Sequence, residues 1–125
     1  MDENDISYQI RGAIFTVYNA LGPGLLESVY ETVLTYVLTE NGLDVKRQVK
    51  LPVVFEGITL DVGYRIDLLI NDLVIIEVKS VETLAPVHHK QILTYLKLSG
   101  LRLGLLVNFN SSDISSSIWR KVNGL

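Results

Sequence analysis

Asp67 and, ten residues on, the triplet Glu77-Val78-Lys79 place two carboxylates and a lysine where they could act on a substrate together. Two carboxylates about one strand spacing apart can share a magnesium ion, with water and a substrate phosphate oxygen completing its octahedron. The backbone carbonyl of Val78 is available as a further ligand. A lysine beside them can orient or deprotonate an attacking water, or stabilise charge developing on phosphorus. The reaction implied is hydrolysis of a phosphodiester, with Mg2+ or Mn2+ as the cofactor.

These groups meet only if two strands carry them in one register. Side chains of a strand alternate, so Ile75, Glu77 and Lys79 share one face, and Val74, Ile76 and Val78 share an apolar one. The preceding strand divides the same way, with Tyr64, Ile66, Leu68 and Ile70 on one face and Gly63, Arg65, Asp67 and Leu69 on the other. Pairing the apolar faces sets Asp67 beside Glu77. That pairing demands an odd loop, such as Asn71-Asp72-Leu73, because a two-residue loop would put Asp67 opposite Ile76. Close carboxylates are costly unless a cation joins them.

Around this hairpin the hydrophobic period marks the other elements. Ile6, Ile10, Ala13, Ile14, Val17 and Leu21 recur at helical spacing, Asn4 or Asp5 can cap the start, and Gly22-Pro23-Gly24 ends the run. A second stripe from Leu26 to Leu38 stops at Asn41-Gly42 and has Glu27 in its first turn. Val45 to Phe55 and Ile58 to Ile70 read as strands joined at Glu56-Gly57, and Leu73 to Ser80 as the next strand. Pro86 opens a helix that Gly100 ends, Leu103 to Asn108 reads as a buried strand, and Ile118 to Val122 as a short edge strand or loop.

Composition narrows the setting. At 125 residues and 48% hydrophobic, the chain has the size of one domain with one core, spanning residues 1–125. With no cysteine, disulfides and thiolate zinc sites are excluded, and a metal must be held by oxygen or imidazole. The acidic Met1-Asp2-Glu3-Asn4-Asp5 start, and the lack of an apolar run near the roughly 18 residues of a membrane span, point to a cytoplasmic protein that does not meet a membrane. The net charge of −3 hides an asymmetry: seven of the fourteen acids but one of the eleven bases lie in residues 1–44. The sheet-bearing part is therefore the basic one.

Asp67 followed by Glu77-Val78-Lys79 resembles the signature of the PD-(D/E)XK nuclease superfamily. Gly24-Leu25-Leu26-Glu27-Ser28-Val29-Tyr30 is similar to the GxxExxY motif of a small bacterial family placed there, and Gln91-Ile92-Leu93-Thr94-Tyr95 to the QxxxY motif of its repair-nuclease branch. With Tyr64-Arg65-Ile66-Asp67 and Gly104 to Phe109, the resemblance runs from about Ile6 onward. It implies an α/β fold with a restriction-endonuclease-like core, a mixed central sheet whose antiparallel hairpin is flanked by helices. It also implies Asp67 and Glu77 as metal ligands, Lys79 as the catalytic lysine and Glu27 as an acidic helper. Gln91 is implied to hold a water or the lysine, and Tyr95 a phosphate or Glu27. Ile66 and Ser80 depart from the small residue and the alanine common at those positions, but neither removes a catalytic group.

Plainer readings stand beside these. Glu77 and Lys79 would be ordinary on a solvated edge strand, Glu27 favours a helix N-terminus, and Tyr95 suits a core. His88-His89 point in different directions and read as surface or capping residues; Arg47, Arg65 and Arg102 are candidate phosphate contacts. The expected function is a nuclease acting on nucleic acid, DNA first, with a homodimer or protein partner supplying surface that so small a chain lacks. The alternatives are a non-catalytic module binding nucleic acid or a protein, and, last, a hydrolase of a small phosphorylated molecule, which lacks a glycine-rich phosphate loop.

Overall fold

Asp2, rather than Asn4 or Asp5, caps the first helix in the computed structural model, which describes residues 1–125. The Asp2 carboxylate accepts the Asp5 amide at 2.9 Å, and the Asp5 carboxylate accepts the Asp2 amide at 3.1 Å. This reciprocal box satisfies two amides that a helix start leaves free. Helix α1 then runs Glu3–Leu21 and α2 runs Glu27–Glu40. In the Gly22–Leu26 connection between them, Gly24 takes φ +97°, a conformation side chains resist. The Tyr30 hydroxyl closes that connection, donating to the Gly22 carbonyl and accepting the Leu25 amide, while its ring stacks on Phe109 at 4.4 Å.

The two long strands expected from Val45 and Ile58 are broken into four. Strand β1 is Val45–Lys50, β2 Val53–Phe55, β3 Ile58–Leu60 and β4 Arg65–Ile70. Pro52 lacks the amide that would continue β1. The turn at Asp61 to Gly63, where the Asp61 carboxylate accepts the Gly63 amide, separates β3 from β4. Strands β2 and β3 pair only with each other, so they form a hairpin arm outside the main sheet. Strand β5 (Val74–Lys79), α3 (Pro86–Ser99), β6 (Leu103–Asn108), a short 3-10 turn at Ile114–Ser116 and β7 (Ile118–Val122) complete the chain.

The main sheet has the order β1-β4-β5-β6-β7, with β5 and β6 parallel and every other pair antiparallel. Strand β5 is central, so the solvated-edge reading of Glu77 and Lys79 does not apply. The hairpin loop is Asn71-Asp72-Leu73, an odd loop, and Leu68↔Ile76, Leu69↔Ile75 and Ile70↔Val74 pair as the face argument requires.

Two apolar clusters sandwich the sheet. The larger joins α1 and α2 to Leu68, Ile70, Val74, Ile76, Val78 and the alternate residues of β6. The smaller holds Ile75 and Leu106 against Ile92, Tyr95 and Leu96 of α3 on the other face. Gly104 lets α3 sit close, since a Cβ there would lie 2.9 Å from the Ile92 Cδ1. One expectation fails: Ile66 and Tyr64 pack with the α3 cluster, not on the face of Leu68 and Ile70. The alternation reverses at Asp67, where the facing β1 residue, Gln48, takes φ +49° and twists the strand out of regular extended geometry.

Candidate active site

The β4–β5 ladder stops at Leu68↔Ile76, one step before Asp67 and Glu77. Beyond it the two acidic side chains take over the hydrogen bonds that backbone would make. The Asp67 Oδ2 accepts the Val78 amide at 2.8 Å, and the Glu77 Oε2 lies 3.4 Å from the Asp67 amide. Strand β5 nevertheless stays straight to Lys79, because β6 holds it along its other edge through Glu77↔Leu106, Val78↔Val107 and Lys79↔Asn108. The result is a split in the sheet lined by carboxylates. The amide and carbonyl of one strand residue project to the same edge, so the Val78 carbonyl faces this split too.

Glu77 is 4% exposed and its Oε1 has no hydrogen-bond partner. Burial first, then Asp67, pushes its carboxyl up to about 10, against the pull of Lys79. A buried oxygen with no partner is rare and costs free energy. A divalent cation between Glu77 and Asp67 would satisfy that oxygen and favour the ionised carboxylate, so this donor set fits such an ion. No group of three or more His, Asp or Glu side chains converges here, so the chain offers two carboxylates and the Val78 carbonyl. That sparse, all-oxygen set suits magnesium, which keeps much of its water.

Lys79 is half-buried next to Glu77, and its ammonium makes no hydrogen bond or ion pair within the chain. Tyr95 reaches the site from α3: burial raises its hydroxyl pKa first, and the charge of Glu77 next. Its ring lies 5.4 Å from that of Tyr64. Gln91, one turn earlier, lines with Tyr64, Tyr95, Lys90, Thr94 and Val87 a cleft of about 220 Å³ on this flank of α3. Glu27 is half-buried in the first turn of α2, and its carboxylate has no hydrogen bond or ion pair. Ser80 ties that end of the helix to β5, its hydroxyl donating to the Leu25 carbonyl.

Two residues that the sequence did not single out connect to Asp67. The Gln48 amide donates to Asp67 Oδ1 at 3.3 Å and to the Glu31 carboxylate at 3.1 and 3.2 Å. Glu31, 7% exposed, also pairs with Arg47 at 3.3 Å. Its only sequence signal was an acid four residues after Glu27, inside an apolar stripe. Gln48 had none, since its link depends on β1 pairing with β4.

The three arginines considered for phosphate are engaged elsewhere. Arg47 holds Glu31 and Thr32, Arg65 holds Asp61 at 3.4 Å, and Arg102 grips Glu3 at 3.0 and 3.3 Å. Arg102 precedes β6 and so stands at the opposite end of the sheet from Lys79. His88 caps α3, its Nδ1 accepting the Ala85 amide at 3.1 Å, whereas His89 packs edge-on against Trp119 at 5.2 Å.

The family model of the PD-(D/E)XK nuclease superfamily matches residues 4–121, and the chain belongs to that superfamily. Comparison with curated proteins and with solved structures gives no match. Members of the superfamily typically use divalent metals, in keeping with the oxygen donors gathered at the split in the sheet. No helix is long and apolar enough to cross a membrane.

Proposed function

We propose that the chain is a metal-dependent nuclease that hydrolyses phosphodiester bonds of nucleic acid, DNA first, in the cytoplasm, and that its narrower kinship is with GxxExxY proteins. The observation that carries this reading is the partnerless Glu77 Oε1, buried beside Asp67 on the central strand. Asp67, Glu77 and the Val78 carbonyl would hold Mg2+ or Mn2+. When bound, such an ion supplies Lewis acidity and a more acidic water. Lys79, with no partner of its own, is free to orient that water or to face charge developing on phosphorus. Gln91 and Tyr95, four apart on α3, would order water and the phosphate on the flank of the site. Glu27 would act as a further acidic helper from α2.

The test is cleavage of supercoiled plasmid, single-stranded DNA and RNA, with Mg2+ or Mn2+ and with chelator, alongside Lys79→Ala and Asp67→Ala proteins. Metal-dependent cutting that both substitutions abolish is the expected result. No cutting of any substrate by folded protein would overturn it in favour of a non-catalytic module.

The β2–β3 arm supports a second, compatible reading, in which the chain works with a second copy or a protein partner. Val54, Phe55 and Ile58 are each more than 60% exposed there, and a two-stranded hairpin is marginal by itself. Sedimentation of the protein beside Phe55→Ser would reveal such an association.

A further inference from the structure

A second cleft, of about 410 Å³, lies on the other flank of α3 from Gln91 and Tyr95. Its wall is aromatic: Trp119 on β7, half-buried, with His89 of α3 set edge-on against it. Its floor is rigid. The Asn108 side chain accepts the Val81 and Asn110 amides and donates to the Val81 carbonyl, and the Ser117 and Ser111 hydroxyls bond each other. Its rim is different. The side chains of Asn110, Glu82, Thr83 and Ser112 make no hydrogen bond within the chain, so their donors and acceptors face the cleft or solvent unspent.

These features specify a ligand. The volume is that of a small-molecule site, roughly 300–1,000 Å³. No lysine or arginine lines the cleft and Glu82 does, so a phosphate is disfavoured. An aromatic wall with an amide and a carboxylate at its edge is what a nucleobase requires: a π face to lie on, and partners for its ring nitrogens and amino group. A base inside a duplex offers neither a free face nor a free pairing edge. The occupant must therefore come from a single strand.

We propose that this cleft holds a nucleobase of a single-stranded segment of the substrate, stacked on Trp119 with its edge against Asn110 and Glu82. The proposal rests on the nuclease reading and narrows it to substrates with an unpaired base near the cut. Trp119 stands in register with Glu77 through Leu106, two strands and so roughly 10 Å away, with α3 packed on Leu106 between them. A strand whose scissile phosphate sits at Asp67 and Glu77 would need to cross only that distance to leave its base on Trp119.

Trp119 is the only tryptophan, so its fluorescence reports the cleft without any need for cutting. The protein is titrated in chelator with a short single-stranded oligonucleotide and with an abasic sugar-phosphate chain of equal length and charge. The expected result is saturable quenching by the first and not by the second. Asn110→Ala and Glu82→Ala, on the rim, should each weaken it several-fold. Trp119→Leu, followed by anisotropy of an end-labelled oligonucleotide, should weaken binding about tenfold, the size of one lost base stack. Equal binding of both chains, binding that leaves Trp119 emission unchanged, or no binding at all would overturn the proposal. Metal-dependent cutting, measured separately, keeps the two readings distinguishable. Cutting without base-dependent quenching sinks only the cleft; base-dependent quenching without cutting sinks only the nuclease.

Discussion

The carboxylate of Asp67 accepts the backbone amide of Val78 at 2.8 Å, replacing a rung of the β4–β5 ladder with a side chain. This single bond explains how a sheet can open at its centre without losing its strands. The amide stays satisfied, β6 holds β5 in line, and the space gained is lined by acids.

Asp67→Asn keeps an oxygen that can accept the Val78 amide but removes the charge. The variant should melt within a few degrees of the parent, while plasmid cleavage falls by more than the roughly 10- to 100-fold that loss of a metal ligand's outer partner costs. Thermal melting and cleavage rates, measured together, check this. A large loss of stability would show that the charge, not the hydrogen bond, holds the split.

Glu77 makes the metal-free protein sensitive to pH. Its carboxyl titrates near 10 in the fold and near 4.5 when unfolded. Between these values the native state binds the extra proton, so stability falls as pH rises through this window and levels off above it. Melting temperatures in chelator from about pH 5 to about pH 9 should decline, and Glu77→Gln should flatten the decline.

Adding Mn2+ should reverse that trend. Binding requires the ionised carboxylate and releases its proton, so the rise in melting temperature should be larger near pH 8 than near pH 5.5. At a hundred times its dissociation constant, an ion stabilises a single-site protein by about 2.7 kcal/mol. Calorimetry in two buffers of different ionisation enthalpy would count the released proton, and Glu77→Gln should remove it.

Gln48 carries both strain and a link, and two substitutions separate them. Its φ of +49° costs a side chain roughly 1–2 kcal/mol, which glycine avoids. Both Gln48→Gly and Gln48→Ala lose the bridge from Glu31 to Asp67. Denaturant unfolding should therefore show the glycine variant about 1 kcal/mol more stable than the alanine variant, with cleavage reduced in both.

Tyr30→Phe should cost about 1–3 kcal/mol in the same measurement, by removing the hydroxyl that closes the α1–α2 connection while leaving the stack on Phe109. The tyrosine that ends the Gly24 to Tyr30 motif thus has a structural reason of its own.

Much of this molecule could be read along the chain because its causes are local. The apolar stripes of α1 and α2, the cap at Gly100 and the odd loop Asn71-Asp72-Leu73 follow from period, conformational preference and parity, each set within a few residues. Parity in turn set Asp67 beside Glu77, and the ordered motifs led to the superfamily that the chain belongs to. The detached β2–β3 arm was missed because Pro52 and the turn at Gly63 break strands whose composition is continuous.

The rest of the molecule depends on residues distant in sequence. Whether Glu77 lies on a central or an edge strand is set by β6 and β7 arriving on its far side. The isolation of its Oε1, the bridge from Glu31 through Gln48 to Asp67, the capture of Arg102 by Glu3, and the meeting of His89 with Trp119 all join elements far apart along the chain. Residue types determined which groups could do chemistry here. Burial and register, which no local pattern encodes, decided which of them are left with unsatisfied bonding capacity to do it.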